Sequence, residues 1–204
     1  MIIDKTPKRF IDDIVAPACN NNQDIINAFI KIPRSLFVDT AMKSKSYDDK
    51  ALPIGFGQTI SQPSTVARML LLLDVKKSDN VLEIGSGSGF LTALLSYLSK
   101  QVYAIERIAP LFEKTRKLLK EMNIRNVLFS CSDGGLGWKE YAPYNKIIAS
   151  AGANQLPQAL IDQLDEGGII VIPLKNRLVK YEKQGSNITM IEDISVKFVD
   201  FVGS

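Results

Sequence analysis

The sequence predicts an α/β fold built on a doubly wound, mainly parallel sheet. Short apolar runs that suit buried strands alternate with longer segments whose apolar residues recur at helical spacing. Three glycines at alternate positions, Gly85, Gly87 and Gly89, join one of these runs directly to a helical pattern. Near the end, strand patterns follow one another across short turns, which indicates antiparallel strands. We therefore expect helices on both faces of the sheet, antiparallel C-terminal strands and an N-terminal helical extension.

Length and charge predict one domain over residues 1–204, with residues 1–50 as the helical extension within it. The 204 residues are enough for a single α/β domain with a substantial core, and their pattern contains neither a repeat nor a convincing linker. The formal net charge of +3 is spread among acids, as in the mixed run of residues 113–121. Such a run is typical of a solvated helix face, so we expect no nucleic-acid partner.

Side chains that commonly bind metals are scarce. The sequence has no histidine, and its two cysteines, Cys19 and Cys131, have neither metal-binding nor redox spacing. We therefore expect no metal site and no disulfide framework. Residues 1–9 lack an apolar signal core, and the longest obvious apolar run, residues 69–73, is too short to cross a bilayer. These features predict a cytoplasmic protein without a membrane partner.

Two amphipathic helices open the chain. Apolar residues recur at helical spacing over residues 10–15 and again over residues 25–30, on either side of a break at residues 20–22. Pro33 ends the second helix. Residues 34–47 show no clean period and are predicted to be mostly irregular, either as a lid or as an ordinary surface loop.

The stretch before the next helix is predicted to be irregular. Two glycines and two prolines argue against regular structure through residues 51–63, while Pro63 suits the first position of a helix over residues 63–73. Ser61 or Gln62 could have no further role than to cap or flank this helix, since a serine before a helical apolar run is common.

The glycine turn is typical of a ligand-binding turn. A strand is predicted over residues 81–84 and a helix over residues 91–98. Bare backbone between them lets a ligand approach the N-terminus of the helix closely. The dinucleotide fingerprint, Gly-x-Gly-x-x-Gly, would need a glycine at position 90, where the chain has Phe90. A tight turn that closes an ordinary α/β unit remains an alternative.

The spacing at this turn also resembles a known motif. Glu83, Gly85, Gly87 and Gly89 follow the pattern of the first motif of the class I methyltransferases, which bind S-adenosylmethionine. By that resemblance the turn would hold the methionine end of the cofactor. The resemblance also implies that Glu83 helps to orient the ammonium group of the cofactor.

Two acidic residues follow the next two strands. Glu106 ends a strand predicted over residues 102–105 and lies about twenty residues beyond Gly85, where α/β nucleotide folds place a carboxylate on ribose hydroxyls. Asp133 follows a strand predicted over residues 127–130, at the edge where open parallel sheets bind ligands. Glu106 could instead be a solvated charge, and Asp133 could be a residue of an Asp-Gly turn.

The remaining patterns complete the sheet. Helices are predicted over residues 111–122 and 156–164, and Gly167 with Gly168 would stop the second. The remaining strands are predicted over residues 146–150, 169–173, 178–182, 188–191 and 196–202, with a turn at residues 185–187.

With these segments placed, the chain resembles the protein-L-isoaspartate O-methyltransferases along most of its length. Residues 57–63, Gly-Gln-Thr-Ile-Ser-Gln-Pro, are characteristic of that family, whereas the glycine turn alone would indicate only a methyltransferase. The other matching segments keep the order of the family: residues 81–90, 105–108, 133–134, 142–144, 167–168 and Pro173. The resemblance implies a Rossmann-like fold.

The resemblance also implies an enzyme of protein repair. It would transfer methyl from S-adenosylmethionine to the α-carboxylate of L-isoaspartyl residues in damaged proteins, and the ester would then collapse to a succinimide that can hydrolyse to aspartate. Ser61 matches the catalytic serine of the family, and Gln58, Thr59 and Ile60 match its substrate-contacting segment. The positions that match cofactor-binding residues are Glu83, Gly85, Ser86, Gly87, Gly89, Glu106, Asp133 and Gly134.

This chemistry suits a chain without histidine. A carboxylate with a reference pKa of roughly 4 is already ionised at neutral pH, so the nucleophile needs no base. The reaction requires one carboxylate oxygen in line with the sulfonium methyl, which is mostly a matter of proximity and orientation. The Ser61 hydroxyl would hold that oxygen by a hydrogen bond.

Two positions depart from the family pattern. Asn145 stands where the family usually has an acid, and the chain ends soon after Phe201, where the family commonly continues. These departures concern the packing of the fourth strand and the tail more than the chemistry.

Two other functions stay open: a methyltransferase of this fold that acts on another carboxylate or a small molecule, and a non-catalytic module that binds the cofactor or a partner. The sequence leaves the oligomeric state open.

Overall fold

The computed structural model describes residues 5–175, 177–185 and 187–195, with residues 192–195 described by their backbone alone. Its strands are β1 Leu52–Gly55, β2 Gln58–Ile60, β3 Asn80–Ile84, β4 Gln101–Glu106, β5 Val127–Cys131, β6 Tyr144–Ala149, β7 Leu164–Leu174, β8 Arg177–Gln184 and β9 Asn187–Ser195. A seven-stranded sheet in the order β5-β4-β3-β6-β7-β8-β9 forms the centre, and β1 pairs with β2 in a separate sheet.

The helices follow the predicted order. They are α1 Lys8–Phe10, a π-helical turn Ile11–Val15, α2 Ala16–Ala18, α3 Gln23–Lys31, α4 Pro63–Leu73, α5 Phe90–Leu98, α6 Ala109–Glu121 and α7 Gln158–Asp162. Four 3-10 segments lie at Arg34–Phe37, Thr40–Lys45, Gly134–Leu136 and Lys139–Tyr141. The first predicted helix is therefore present as one α-helical stretch with a π-helical turn inside it.

The central sheet has the predicted Rossmann-like arrangement. Strands β5, β4, β3, β6 and β7 pair in parallel, and β8 and β9 continue the sheet antiparallel. The chain extends the sheet from β3 through β4 to β5 on one side and places β6 on the other side of β3. The strand order therefore reverses at β3, and open α/β sheets bind ligands at the carboxyl ends of the strands beside such a reversal.

Successive side chains of each strand enter two different apolar clusters. In β3, Val81 belongs to one cluster while Leu82 and Ile84 belong to the other, as the pleat requires. The first cluster also takes the buried faces of the N-terminal helices and of α3 to α6. The second cluster is closed by α7 and by the 3-10 segments around Trp138 and Tyr141. Both faces of the sheet are thus covered.

The N-terminal helices pack on the start of α5. The rings of Phe29 and Phe37 have centroids 5.6 and 5.4 Å from the ring of Phe90, the first residue of α5. Residues 34–47 were predicted to be mostly irregular, and that prediction is wrong because two 3-10 segments occupy most of them. Phe37 is buried within the first apolar cluster, which fixes this connection against the core.

A β-hairpin replaces the irregular structure predicted for residues 51–63. Strands β1 and β2 pair antiparallel, with Leu52 opposite Ile60 and both side chains buried. Pro53 has no N–H to donate, but it is tolerated because both strands of a two-stranded sheet are edge strands. Its side chain is exposed. The residues of the hairpin tip all have positive φ: Gly55 at 94°, Phe56 at 55° and Gly57 at 71°.

Strand β7 begins at Leu164, five positions earlier than predicted. Leu164 pairs with Tyr144 and Ile169 pairs with Lys146, so the residues between Leu164 and Ile169 bulge out opposite one residue of β6. Gly167, at a φ of 68°, lies in this bulge. The glycines were predicted to stop the preceding helix, and that prediction is wrong because α7 already ends at Asp162.

Asn145 connects three strands at this bulge. Its side-chain oxygen accepts a hydrogen bond from the N–H of Asn80 in β3 at 2.9 Å, and its Nδ2 donates to Asp165 Oδ2 in β7 at 3.1 Å. An amide can donate and accept at once, which an ionised acid cannot. The departure from the family pattern at this position is therefore accommodated by an acid on the neighbouring strand.

The C-terminal strands pair as predicted where the structure describes them. Gln184 of β8 lies opposite Asn187 of β9, which was predicted as the last residue of the turn. The strand predicted over residues 196–202 lies outside the described residues. Cys19 is buried and Cys131 is exposed, and both are free thiols. Among the described residues, no helix combines the length and apolar character needed to span a membrane.

Candidate active site

A cleft opens at the carboxyl ends of β3, β4, β5 and β6, where the strand order reverses. The β1–β2 hairpin forms the wall that faces these strand ends. The empty space, including the part open to solvent, is about 840 Å³. The residues that line the cleft include Phe56, Gln58, Thr59, Gly85, Gly87, Glu106, Ile108, Asp133, Gly134 and Ser150.

The predicted glycine turn forms the floor of this cleft. Gly85, Gly87 and Gly89 have φ angles of 81°, 51° and 84°, which residues with a side chain rarely adopt. The N–H of Gly85 donates to the carbonyl of Ile105 at 2.8 Å and fixes the turn to β4. A Cβ atom on Gly85 would lie 3.9 Å from the nearest heavy atom, in Ser150, so it would have room but would project into the cleft. Bare backbone at Gly85 therefore faces the cleft.

Two other glycines are required by close packing. A Cβ atom on Gly89 would lie 2.6 Å from Thr115 Cγ2, and one on Gly134 would lie 2.3 Å from Ile84 Cγ2. Both distances are shorter than van der Waals contact allows. Gly134 lines the cleft. Gly89, the last glycine of the turn, does not line the cleft and instead lets α6 pack closely against the turn.

Glu106 forms part of the cleft wall at the end of β4. The side chain is 6% exposed, and its two oxygens accept hydrogen bonds from the N–H groups of Gly87 and Ile108, both at 2.8 Å. The alternative of a solvated charge is therefore wrong. A carboxylate offers about four acceptor sites, so Glu106 keeps further sites for the hydroxyl groups of a ligand.

Asp133 lies at the carboxyl end of β5 and combines the two roles considered for it. Its Oδ1 accepts the N–H of Gly135 at 2.9 Å and begins the 3-10 segment Gly134–Leu136, as a turn residue would. The residue is also exposed and lines the cleft. The turn occupies one oxygen, which leaves the other available to a ligand.

Glu83 and Ser86 are buried beside the turn without hydrogen-bond partners. Glu83 is fully buried, and neither its carboxylate oxygens nor the hydroxyl of Ser86 form a hydrogen bond within the described part of the chain. Burial raises the pKa of Glu83 to about 8, and the nearby Thr92 hydroxyl opposes the shift although its geometry falls short of a hydrogen bond. Unpaired buried polar groups are rare in proteins, so Glu83 and Ser86 are candidates for contact with a bound ligand.

A small cavity adjoins the cleft and contains Ser61. Residues of the predicted substrate segment divide between the two spaces: Gln58 and Thr59 line the cleft, while Thr59, Ile60 and Ser61 line the small cavity. Gly85 lines both, so the two spaces meet at the glycine turn. The structure thus brings the predicted substrate and cofactor residues together, apart from Glu83 and Gly89, which line neither space.

The Ser61 hydroxyl is not used to cap a helix. The cap residue of α4 is Gln62, whose side chain makes no capping bond, and the N–H of Ser64 donates instead to Asp49 Oδ1 at 2.9 Å. Gln62 thus occupies the cap position without a side-chain capping bond, and Ser61 flanks the helix, so the alternative of capping or flanking residues describes their place in the chain. Arg34 donates a hydrogen bond to the carbonyl oxygen of Ser61, which leaves the Ser61 hydroxyl available to a ligand.

Some wall residues are absent from the sequence prediction. Ser150 follows β6, so the rule that ligands bind at the carboxyl ends of strands would have found it. Phe56 is 60% exposed and extends over the cleft from the hairpin tip. It had no signal in the sequence, because the hairpin itself was not predicted.

Comparison with known proteins identifies the family. The family model described as "Protein-L-isoaspartate(D-aspartate) O-methyltransferase (PCMT)" matches residues 5–204. A protein-L-isoaspartate O-methyltransferase from Dictyoglomus thermophilum is 42% identical over 200 residues, which cover 96% of this chain and 91% of the relative. One from Geobacter metallireducens is 41% identical over 208 residues, which cover 100% and 96%.

Solved structures have the same fold. A protein-L-isoaspartate O-methyltransferase superposes with a TM-score of 0.85 at 25% identity, over 95% of this chain and 66% of that chain. A Plasmodium falciparum protein described with the same activity, in complex with S-adenosyl-L-homocysteine, gives 0.80 at 24% identity over 97% and 98%. The family model and the relatives above 40% identity lead to one conclusion: the chain belongs to the protein-L-isoaspartate(D-aspartate) O-methyltransferase family.

Proposed function

We propose that this chain methylates the α-carboxylate of L-isoaspartyl residues in damaged proteins, with S-adenosylmethionine as the methyl donor. Family membership supports this activity. The observation that supports this activity most directly is that the cleft and the small cavity meet at the glycine turn. A cleft suited to the donor meets a small cavity that contains the free hydroxyl of Ser61. A methyl group held at this junction would lie beside a carboxylate held by Ser61.

The residues of the cleft fit S-adenosylmethionine. Glu106 keeps acceptor sites that suit the two hydroxyls of a ribose, and Gly85 leaves space for a close approach to the backbone. The carboxyl of Glu83 is mostly protonated at neutral pH while it is unpaired, and a nearby ammonium group would favour its ionised form. We assign cofactor contacts to Glu83, Gly85, Ser86, Gly87, Glu106, Asp133 and Gly134, whereas Gly89 shapes the turn by packing against Thr115. The Plasmodium falciparum protein of the same fold is described in complex with S-adenosyl-L-homocysteine, which supports a methyl donor of this class.

The substrate side requires orientation rather than proton transfer. When bound, S-adenosylmethionine supplies an electrophilic methyl group on a sulfonium and departs as the neutral thioether. Ser61 donates a hydrogen bond that aligns the substrate carboxylate, while Gln58, Thr59 and Ile60 hold the peptide beside it. Because a carboxylate is ionised at neutral pH, no side chain has to remove a proton, and the chain has no histidine to do so.

A pair of peptides tests the substrate, one with L-isoaspartate and one with L-aspartate at the same position. We expect labelled methyl to enter the isoaspartyl peptide alone. Equal incorporation into both peptides would favour a methyltransferase with another substrate. Calorimetric binding of S-adenosylhomocysteine without turnover on any carboxylate would support a non-catalytic module.

The Ser61→Ala variant tests the role of the hydroxyl. We expect kcat on the isoaspartyl peptide to fall roughly 10- to 100-fold, since a hydrogen bond to a charged group contributes about 1.5–3 kcal/mol. Affinity for S-adenosylhomocysteine should stay within about twofold. Ser99→Ala is a matched control, because it removes a buried hydroxyl that bonds to Leu95 at the far end of α5. Full activity of Ser61→Ala would remove Ser61 from the mechanism.

Three further expectations remain predictions. A single domain over residues 1–204 is supported by the first apolar cluster, which combines side chains of the N-terminal extension with those of the sheet. A cytoplasmic location, to be tested by cell fractionation, has no structural support of its own. The absence of a nucleic-acid partner follows from the scattered charge, and a binding assay with RNA and DNA would test it.

A further inference from the structure

We propose that Arg34 is a positioning residue for the reaction, because its guanidinium holds the backbone of Ser61 in place. This inference rests on the proposed role of Ser61. It concerns a residue outside the predicted site, in a connection that sequence patterns left without function. Arg34 acts through Ser61 and does not itself line the cleft or the small cavity.

The guanidinium connects three separate parts of the chain. Nη1 donates to the carbonyl of Ser46 at 2.6 Å, and Nη2 donates to the carbonyls of Lys50 and Ser61 at 3.0 and 3.1 Å. These acceptors lie on both sides of the β1–β2 hairpin. The planar fork of arginine can reach all three at once, whereas the single ammonium of lysine cannot match this geometry.

Arg34 is buried to a degree that is unusual for arginine. Its side chain is 1% exposed, and its Nε has no hydrogen-bond partner within the described part of the chain. Burial lowers the pKa of Arg34 to about 10, with Asp49 and Asp48 opposing the shift, so the group is still charged at neutral pH. Keeping a charge in such a place is unfavourable unless its hydrogen bonds are made.

The hydrogen bonds of Arg34 fix the backbone beside the small cavity. The carbonyl of Ser61 is bound by Arg34, and the following helix is capped by Asp49 from the loop that Arg34 also binds. The position of the Ser61 hydroxyl therefore depends in part on this buried side chain. A displacement of about 1 Å in a catalytic group can reduce turnover by roughly 100-fold.

A double-mutant cycle separates positioning from a general structural role. Arg34→Lys keeps the charge and loses the fork. We expect kcat on the isoaspartyl peptide to fall roughly 10- to 100-fold, with affinity for S-adenosylhomocysteine within about twofold of wild type. In the Ser61→Ala background the same change should reduce kcat by less than about threefold, because the hydroxyl that Arg34 positions is already absent.

Hydrogen exchange gives a readout that does not depend on turnover. Arg34→Lys should increase deuterium uptake in residues 58–62 while uptake in residues 85–89 stays as in wild type. Ser99→Ala, which also loses a buried hydrogen bond, should leave residues 58–62 unchanged.

The possible failures have different meanings. Additive losses in the cycle, or unchanged uptake in residues 58–62, would overturn the role of Arg34 while leaving Ser61 in the mechanism. A fully active Ser61→Ala would overturn both the role of Ser61 and that of Arg34.

Discussion

Gly85 and Gly89 have nearly the same backbone conformation but different surroundings. Their φ angles are 81° and 84°. Gly85 faces the cleft, whereas Gly89 faces Thr115, whose hydroxyl is held by the carbonyl of Gly87 at 2.7 Å. The Thr115 side chain cannot rotate away without losing that hydrogen bond. One glycine is therefore needed for a ligand and the other for the packing of α6.

Alanine at each position separates these two requirements. Both variants incur a strain of about 1–2 kcal/mol for the left-handed conformation. We expect Gly89→Ala to lower the free energy of unfolding by about 1–3 kcal/mol more than Gly85→Ala, because of overpacking. Gly85→Ala should lose more affinity for S-adenosylhomocysteine. Urea unfolding and calorimetric titration measure the two effects, and a reversed order in either would contradict these assignments.

Spacing in the sequence located some site residues and could not locate others. Glu106 is found because parallel strands bring their carboxyl ends to one edge, so a distance along the chain predicts a position in space. Arg34 and Phe56 could not be found this way. Arg34 meets its partners only after three loops have folded, and Phe56 depends on a hairpin tip.

At the scale of elements, the long periodic segments and the short parallel strands of the central sheet were predicted within a few residues, whereas the hairpin and the start of β7 were not. Helix α4 begins at Pro63 and ends at Leu73 as predicted, because a proline start and a helical pattern agree. The hairpin strands Leu52–Gly55 and Gln58–Ile60 are too short for their alternation to outweigh two glycines and a proline. The predicted start of β7 came too late in the sequence, because the bulge between Leu164 and Ile169 interrupts the pairing of this strand with β6.

The amide at position 145 leads to a prediction for the junction of β3, β6 and β7. Asn145→Asp would replace a donor with a carboxylate facing Asp165, at a distance now 3.1 Å between the bonded atoms. We expect the free energy of unfolding at pH 7 to fall by about 1–3 kcal/mol. Urea unfolding at pH 7 measures the effect.

A compensating change provides the control. Asp165→Asn in the Asn145→Asp background exchanges donor and acceptor, and it should recover most of the lost stability. If the double variant were as unstable as Asn145→Asp, repulsion between the two carboxylates would not be the cause.

At the scale of the whole molecule, the cleft lies between two separately hydrogen-bonded sheets. The seven-stranded sheet supplies the glycine turn and the acids, and the β1–β2 hairpin supplies the facing wall. A ligand that contacts both walls links them. The position of the cleft could be predicted from the sequence because it follows from strand order, whereas its facing wall could not.

This arrangement predicts a ligand-dependent stability. At a free S-adenosylhomocysteine concentration 100 times its Kd, linkage adds about 2.7 kcal/mol, which should raise Tm by roughly 5–10 °C for a chain of this size. Phe56→Ala should reduce that rise at the same concentration and leave the ligand-free Tm almost unchanged, because the side chain is 60% exposed. Ile30→Ala, at an exposed position on α3, is the matched control. A full rise with Phe56→Ala would show that the hairpin tip does not contact the ligand.

The aromatic contacts at Phe90 connect the first fifty residues to the donor site. Phe90 directly follows the last glycine of the turn, and the rings of Phe29 and Phe37 press on it from the extension. Deleting the extension would expose the N-terminus of α5 to water, next to the last glycine of the turn. The extension therefore supports the start of α5, so truncating it would disturb the site without removing any residue that lines the cleft.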